Sequence, residues 1–172
     1  MTSVCPTDVV EAPLDVVWRL LTEPAGWGGF FDVRIGHIDP PGPARVGQRV
    51  VAESGPRLFH FKVSFEFTLV DAERRRLGLQ VRLPFGVTVT EDLHCAAISE
   101  GRCRVTYGCD FGLPGGWRGW IARLFLGREM EAGPIDSLAR LRAAAERTVS
   151  LADHSSDGCK AGISASQALR SH

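Results

Sequence analysis

The sequence has no excess of charge of either sign and no apolar run long enough to cross a bilayer. Lysine plus arginine number 20, and aspartate plus glutamate also number 20. This balance gives no electrostatic reason to expect nucleic acid as a partner. The most apolar run, residues 120–126, is short and contains Arg123, and the first ten residues lack the pattern of a signal peptide. We therefore expect a cytoplasmic protein with no integral membrane segment.

Paired cysteines and the short motifs of several enzyme classes are also missing. The five cysteines are odd in number and show no C-x-x-C spacing, which disfavours zinc and redox sites and suggests reduced thiols. The sequence contains no G-x-S-x-G motif, no phosphate-binding glycine loop and no pair of metal ligands at helical spacing. We therefore disfavour hydrolase, nucleotide-dependent and metal-dependent chemistry, and we expect no cofactor.

What the sequence does contain is one long stretch of strict alternation, from residue 59 to residue 69. Polar side chains fill its even positions, and apolar side chains fill its odd positions: Phe59, Phe61, Val63, Phe65, Phe67 and Leu69. Only a period of two separates the residues in this way, so the pattern predicts a long strand with one apolar face. Four phenylalanines on one face predict a curved antiparallel sheet with a bulky element lying across it.

The remaining patterns predict further strands around this one and a helix at each end of the chain. Further strands are predicted at residues 4–11, 33–38, 45–53, 77–83, 87–98 and 103–111. A helix begins at Ala12-Pro13, and residues 25–31 form a second short helix or a loop. Helical spacing returns from Trp117, where Gly133-Pro134 predicts a kink or a split. We predict one domain, residues 1–149, and a flexible tail, residues 150–172.

Three stretches carry a resemblance to a known family: VEAPLDVVW at residues 10–18, GPARVG at residues 42–47 and SLARLRAAAE at residues 137–146. With the element order, they resemble the START-like (SRPBCC) superfamily and, within it, the polyketide cyclase/dehydrase and lipid transport family. The resemblance implies an α+β helix-grip fold. About seven antiparallel strands curve around a long C-terminal helix, and two short helices lie between strands one and two. It also implies a deep cavity for lipids, polyketides, hormones or aromatic metabolites.

Candidate ligand-binding residues can be named if the apolar strand faces and the C-terminal helix line that cavity. They are Phe59, Phe61, Phe65, Phe67, Leu79, Val89, Trp27, Trp117, Trp120, Ile121 and Leu124. Trp27 and Trp117 lie in glycine-rich segments, where aromatic anchors on mobile backbone can act as lids. The simpler interpretation is that the tryptophans are core and helix-packing groups.

Glu91 is the strongest candidate for a polar site residue, because it occupies an odd position of its predicted strand, as the apolar residues around it do. Val87, Val89, Leu93, Cys95 and Ala97 occupy the same face of the predicted strand. A buried, unpaired carboxylate is costly and acquires a raised pKa, a combination often found at binding and catalytic sites. In the alternative interpretation, a bulge after residues 84–86 reverses the register, so that Glu91 points outward and Thr90 or Asp92 points inward.

Two further residues are candidates for proton transfer. Tyr107 is the single tyrosine and shares parity with apolar residues; it can donate to a carbonyl or enolate oxygen, or it is a packed aromatic. His37 shares parity with Val33 and Ile35 and has an intrinsic pKa that suits proton transfer, but a lone histidine at this position is more often a residue at a strand end.

The sequence therefore supports three functional hypotheses. The first is binding of a hydrophobic small molecule, polyketide-like, aromatic or lipid, in the cavity. The second is a cofactor-independent cyclase, dehydratase or isomerase that uses Glu91 as acid and base, with Tyr107 or His37 assisting. The third is a protein-interaction role similar to that of a co-chaperone. The sequence gives no basis for choosing an oligomeric state.

Overall fold

The structure is a computed structural model that describes residues 2–54 and 61–168. In this part of the chain the strands are β1 (Thr2–Val4), β2 (Thr7–Val10), β3 (Val33–Asp39), β4 (Arg49–Ser54), β5 (Phe61–Asp71), β6 (Arg76–Arg82), β7 (Thr88–Ser99) and β8 (Arg102–Gly112). The helices are α1 (Leu14–Thr22) and α2 (Trp117–Ala168). Two 3-10 segments, Pro24–Gly29 and Pro84–Gly86, complete the described elements.

The strands form one curved antiparallel sheet in the order β1, β8, β7, β6, β5, β4, β3, and β2 also pairs with β8. Consecutive strands from β3 to β8 are antiparallel neighbours, which is the strand order of a meander. The predicted α+β helix-grip fold is confirmed. The first predicted strand is divided in two, since Pro6 lies between β1 and β2 and lacks the N–H that a continuous ladder requires.

Alternation determines which side chains enter the core, as the sequence predicts. On β5, Val63, Phe65 and Phe67 are buried, while Lys62 and Thr68, at even positions on either side of them, are exposed. The alternation ends where the register shifts between Phe67 and Leu69, so Leu69 is exposed rather than inward-facing. A shift of one residue in a strand transfers every later side chain to the other face.

Trp27 anchors the 3-10 segment in the core. Its indole Nε1 donates a hydrogen bond to the Leu21 carbonyl oxygen at 3.1 Å, and its ring contacts Phe31, Phe65 and Phe67. The side chain is 0% exposed, so the prediction that Trp27 is a mobile lid residue is wrong. The packed-core interpretation holds, because the indole buries its large apolar area and satisfies its one polar atom.

Helix α2 lies across the inner face of the sheet. Its later turns bury Leu138, Leu141 and Ala145. The helix is continuous through Pro134, so a split at Gly133-Pro134 is excluded, and the other predicted outcome, a kink, stays a prediction. Helical backbone extends to Ala168, beyond residue 150, and the division into a domain of residues 1–149 and a flexible tail stays a prediction.

Candidate functional site

A cavity of about 370 Å³ lies between the inner face of the sheet and α2. Its wall is largely apolar and comes from four parts of the fold: the segment before β3, strands β3 to β8, the loop after β6, and α2. The lining residues are Phe31, Asp32, Val33, Ser54, Phe61, Val63, Phe65, Val81, Leu83, Val89, Glu91, Tyr107, Cys109, Phe111, Met130, Gly133, Pro134 and Ser137. The volume is in the range of small-molecule sites in proteins.

Three polar side chains meet on the sheet wall of this cavity. Glu91 on β7 is directly opposite Cys109 on β8, and Tyr107 is two residues earlier on β8 and therefore on the same face. All three side chains are buried. Neighbouring antiparallel strands place such cross-strand and diagonal partners within reach of each other. The sheet thus holds a carboxyl, a phenol and a thiol together against an otherwise apolar cavity.

The carboxyl of Glu91 is only partly satisfied by its neighbours. Its Oε2 atom is buried and has no hydrogen-bond partner among the described residues. Burial raises the pKa of Glu91 from 4.5 to about 7, and hydrogen bonding from Tyr107 lowers it by less. A group with this pKa exists in both protonation states near neutral pH, so it can donate or accept a proton.

The neighbours of Glu91 remain protonated. Burial, reinforced by the Glu91 charge, raises the pKa of Tyr107 well above its usual value. Burial also raises the pKa of the Cys109 thiol, with the Glu91 charge contributing in the same direction. Tyr107 and Cys109 are therefore neutral donors at physiological pH, and Cys109 has little of the thiolate character that nucleophilic cysteines need.

The cavity opens toward a more polar rim. Asp32, Ser54 and Ser137 line it there, and the Asp32 carboxylate is 3.7 Å from the Arg140 guanidinium on α2. This ion pair is exposed on both sides, so it contributes little to stability. Its position joins the segment before β3 to the covering helix at the rim of the cavity.

The predicted register of β7 is confirmed at Glu91. Glu91 is buried and lines the cavity, whereas Thr90 and Asp92 are exposed, so the alternative with a reversed register is wrong. Tyr107 also lines the cavity. The strand leaves the predicted pattern only near its end, where Ala97 is exposed before a register shift. The chemical roles of Glu91 and Tyr107 stay predictions.

The prediction that His37 faces the cavity is wrong. A register shift in β3 between Ile35 and His37 breaks the parity that linked His37 to Val33. His37 is exposed and is not among the cavity residues. A bulge of one residue reverses the facing of every later residue in the strand. Gly36 lies at this bulge, and an isolated glycine inside a strand pattern is the local signal that could have indicated it.

The predicted ligand-binding residues divide into three groups. Phe61, Phe65 and Val89 line the cavity. Phe67 and Leu79 are buried on the sheet and pack into the core outside the cavity, while Phe59 lies outside the described residues. The predictions for the start of α2 are wrong, since none of its four candidates lines the cavity; Trp117, Trp120 and Leu124 are exposed and Ile121 is half-buried.

The sequence reasoning also missed several cavity residues. Cys109 and Phe111 share the parity of Tyr107, and that parity could have identified them. Phe31, Asp32, Met130 and Ser137 come from a loop and from a helix turn. Periodicity does not show which turn of a long helix faces an opening, so these residues needed the tertiary structure.

The fold and the cavity together define a class of protein, a helix-grip protein with an internal site for an apolar small molecule. The sequence matches the family described as polyketide cyclase / dehydrase and lipid transport over residues 1–146. The chain belongs to this family, as the three sequence stretches predicted. No curated protein matches the chain. In the described part of the chain, none of the helices has the length and hydrophobicity needed to cross a bilayer.

Several solved structures share the fold. The ZhuI aromatase/cyclase from Streptomyces sp. R1128 is similar with a TM-score of 0.71 and 21% identity, over 86% of this chain and 95% of the other. Norcoclaurine synthase from Thalictrum flavum, in complex with dopamine and hydroxybenzaldehyde, is similar with a TM-score of 0.61 and 18% identity, over 85% of this chain and 87% of the other. The di-domain ARO/CYC BexL from the BE-7585A biosynthetic pathway is similar with a TM-score of 0.61 and 21% identity, over 85% of this chain and 47% of the other. Identities this low show the fold alone.

Proposed function

We propose that the protein binds an apolar small molecule that carries an oxygen-containing polar group, with that group placed against Glu91 and Tyr107. One observation carries the proposal: an apolar cavity of about 370 Å³ has a buried carboxyl oxygen without a partner among the described residues on its wall. Protein interiors contain few voids larger than a water molecule, so a cavity of this size is a feature to be filled. A buried polar atom without a partner is costly unless a ligand or water satisfies it.

The protonation state of Glu91 determines which polar groups fit. When Glu91 is protonated, its carboxyl can donate to a carbonyl oxygen; when it is ionised, it accepts from a hydroxyl. With a pKa of about 7, both forms are populated near neutral pH. A ligand with a permanent negative charge at this position is disfavoured, because it would face the carboxylate in an apolar environment. Neutral ketones and phenols are therefore the favoured chemical class.

A titration with N-phenyl-1-naphthylamine, a neutral apolar fluorescent probe, tests this function. We expect saturable binding to the wild-type protein. Val89→Phe fills the cavity from β7 and should abolish binding, because Val89 is buried on the cavity wall. Val51→Phe introduces the same bulk on the outer face of β4, where Val51 is 37% exposed, and should leave binding unchanged. Equal binding by both variants would refute a site in the cavity.

The geometry also favours a second candidate, acid–base catalysis on such a ligand. The observation is the shared position of the Glu91 carboxyl, with its pKa of about 7, and the neutral phenol of Tyr107. Ionised Glu91 would remove a proton from the carbon next to a ligand carbonyl. Tyr107 would donate a hydrogen bond to the resulting enolate oxygen, and protonated Glu91 would return the proton. Cyclase, dehydratase and isomerase reactions all begin with this enolisation.

Deuterium exchange at the α-carbon of a neutral aryl ketone tests the catalytic candidate without knowledge of the natural substrate. We expect the wild-type protein to accelerate exchange and Glu91→Gln to lose the acceleration, because the amide is not a base. Tyr107→Phe should reduce the rate by about 10²-fold, the size expected for one donor to a developing oxyanion. Glu100→Gln, at an exposed turn, is the matched control. Exchange by Glu91→Gln at the wild-type rate would exclude this mechanism.

We propose that this function is carried out in the cytoplasm. Four of the five cysteines, Cys5, Cys95, Cys103 and Cys109, have side chains that the structure describes, and these four are free thiols. Free thiols of this kind are typical of reducing compartments. Fractionation of the native host cells, followed by detection of the protein, would test the location; recovery outside the cytoplasmic fraction would contradict it.

A further inference from the structure

The first two turns of α2 expose apolar side chains that the sequence alone suggested would be buried. Trp117 is 69% exposed, Trp120 is 68% exposed and Leu124 is 64% exposed. At 3.6 residues per turn these positions lie on one stripe of the helix, together with Ile121. Large apolar groups that cluster on a surface mark an interaction site, whereas scattered ones do not. We name Trp117, Trp120, Ile121 and Leu124 the tryptophan stripe.

The stripe is outward because the helix packs through its opposite side. Ala122 is 0% exposed and Gly119 is buried. The backbone at Gly119 lies against the Pro114 carbonyl so closely that a Cβ would overlap the oxygen. Only small residues allow this approach, and they leave the large side chains on the face away from the protein.

The charge of this segment is as distinctive as its exposure. Residues 117–128 contain three arginines, at positions 118, 123 and 128, and the nearest acidic residues on the helix, Glu129 and Glu131, follow after the stripe has ended. By helical geometry, positions 118 and 123 fall on the two flanks of the tryptophan stripe. Arg123 is exposed. An apolar stripe with tryptophan and flanking basic residues is the arrangement found in helices that lie in the plane of a membrane surface.

We propose that the tryptophan stripe docks on the surface of an anionic lipid bilayer. The indole rings enter the interface between headgroups and acyl chains, and the flanking arginines contact the headgroup phosphates. An anionic bilayer surface binds amphipathic aromatic rings at its interface and basic side chains at its phosphates. A protein partner would not require aromatic and basic residues together. The docking is peripheral, and it is independent of what the cavity binds.

Tryptophan fluorescence provides a direct measurement of docking. Of the four tryptophans, Trp18 and Trp27 are 8% and 0% exposed, so a change in the emission on adding vesicles reports Trp117 and Trp120. We expect a blue shift and protection from iodide with vesicles of phosphatidylcholine and phosphatidylglycerol. The effect should be much smaller with phosphatidylcholine alone and should weaken at 1 M salt, where the Debye length falls to about 3 Å.

Matched variants separate docking from a general loss of structure. Leu124→Ser should reduce co-sedimentation with anionic vesicles by about tenfold, and the double variant Trp117→Ser/Trp120→Ser should abolish it. Leu151→Ser, on the same helix at 72% exposure, should sediment like the wild type. Binding of N-phenyl-1-naphthylamine should be the same in all of these variants, so failure of docking and failure of the cavity function are distinguishable.

Three results would overturn the proposal. The first is no sedimentation of the wild-type protein with anionic vesicles. The second is equal sedimentation of the Leu124→Ser and Leu151→Ser variants. The third is a concentration-dependent dimer, measured by sedimentation equilibrium without lipid, that buries Trp117 and Trp120 and dissociates on Leu124→Ser, because the stripe would then be an interface between copies of the chain.

Discussion

The cost of a buried carboxyl at Glu91 gives the sharpest stability prediction. Burial raises the pKa of Glu91 from 4.5 to about 7, and each pKa unit corresponds to about 1.36 kcal/mol. Ionised Glu91 therefore destabilises the folded state by about 3 kcal/mol relative to its protonated form. Glu91→Gln keeps a side chain of the same shape and remains neutral at every pH, so it removes this dependence.

The direction of the pH effect is set by linkage between ionisation and folding. Below pH 4.5 Glu91 is protonated in both the folded and unfolded states, and its ionisation costs nothing. Between pH 4.5 and about 7 the unfolded state ionises first, so the folded state loses stability as the pH rises. Above about pH 7 both states are ionised and the full cost of about 3 kcal/mol is present.

The assay is urea denaturation of the wild type and Glu91→Gln at several pH values from 4.5 to 8.5. From the lowest to the highest pH, the free energy of unfolding of Glu91→Gln should rise relative to that of the wild type by about 3 kcal/mol, because only the wild type carries the ionisation cost. Glu100→Gln, at an exposed turn, should behave like the wild type at every pH. A constant difference between wild type and Glu91→Gln would refute the claim that Glu91 is desolvated in the folded protein.

Three further predictions test other parts of the fold. Trp27→Ala should lower the free energy of unfolding by about 3–5 kcal/mol, because it removes a fully buried ring and its hydrogen bond to Leu21. Trp120→Ala, at a 68% exposed site, should change the free energy of unfolding by less than about 1 kcal/mol. Similar losses for both variants would contradict the packing of Trp27 in the core. Gly119→Ala should destabilise the folded protein by about 1–3 kcal/mol, because the new Cβ would overlap the Pro114 carbonyl oxygen. Thermal denaturation measures this effect, and Gly115→Ala is the control, since a Cβ at Gly115 meets open space. Equal melting temperatures for the two variants would contradict the close approach at Gly119. Cys5 is exposed, whereas Cys95, Cys103 and Cys109 are buried. An aromatic disulfide reagent should therefore label Cys5 in the folded protein and these other three only after denaturation, as measured by peptide mass analysis. Labelling of Cys109 in the folded protein would show that the cavity wall opens.

The strands and the central polar residue of the cavity could be predicted from the sequence because both depend on a period of two. The alternation on β5 identified the buried Val63, Phe65 and Phe67, and the same parity on β7 placed Glu91 inside. Burial of one face fixes the register of a strand strongly, so a local pattern is enough. The family assignment came from the order of the elements and from three short stretches.

Other features could not be read from the sequence, for two physical reasons. A register shift in β3 at Gly36 reversed the facing of His37. A glycine inside a strand indicates a bulge, but the register that follows the bulge is set by the pairing with β4. On α2 the apolar stripe suggested the buried face, whereas the small residues Gly119 and Ala122 are the ones that are buried. Helical periodicity identifies an apolar stripe but not whether that stripe faces the protein or the solvent.

The most direct test of the cavity is an NMR measurement of contacts between a neutral naphthyl ketone and the methyl groups of the protein. If the ligand lies between the sheet and α2, nuclear Overhauser effects should link its ring to Val63, Val81 and Val89, which line the cavity. The Val51 and Ile98 methyls, which are exposed, should show none. Contacts to those two residues alone, or no saturable contact at any methyl, would contradict the account.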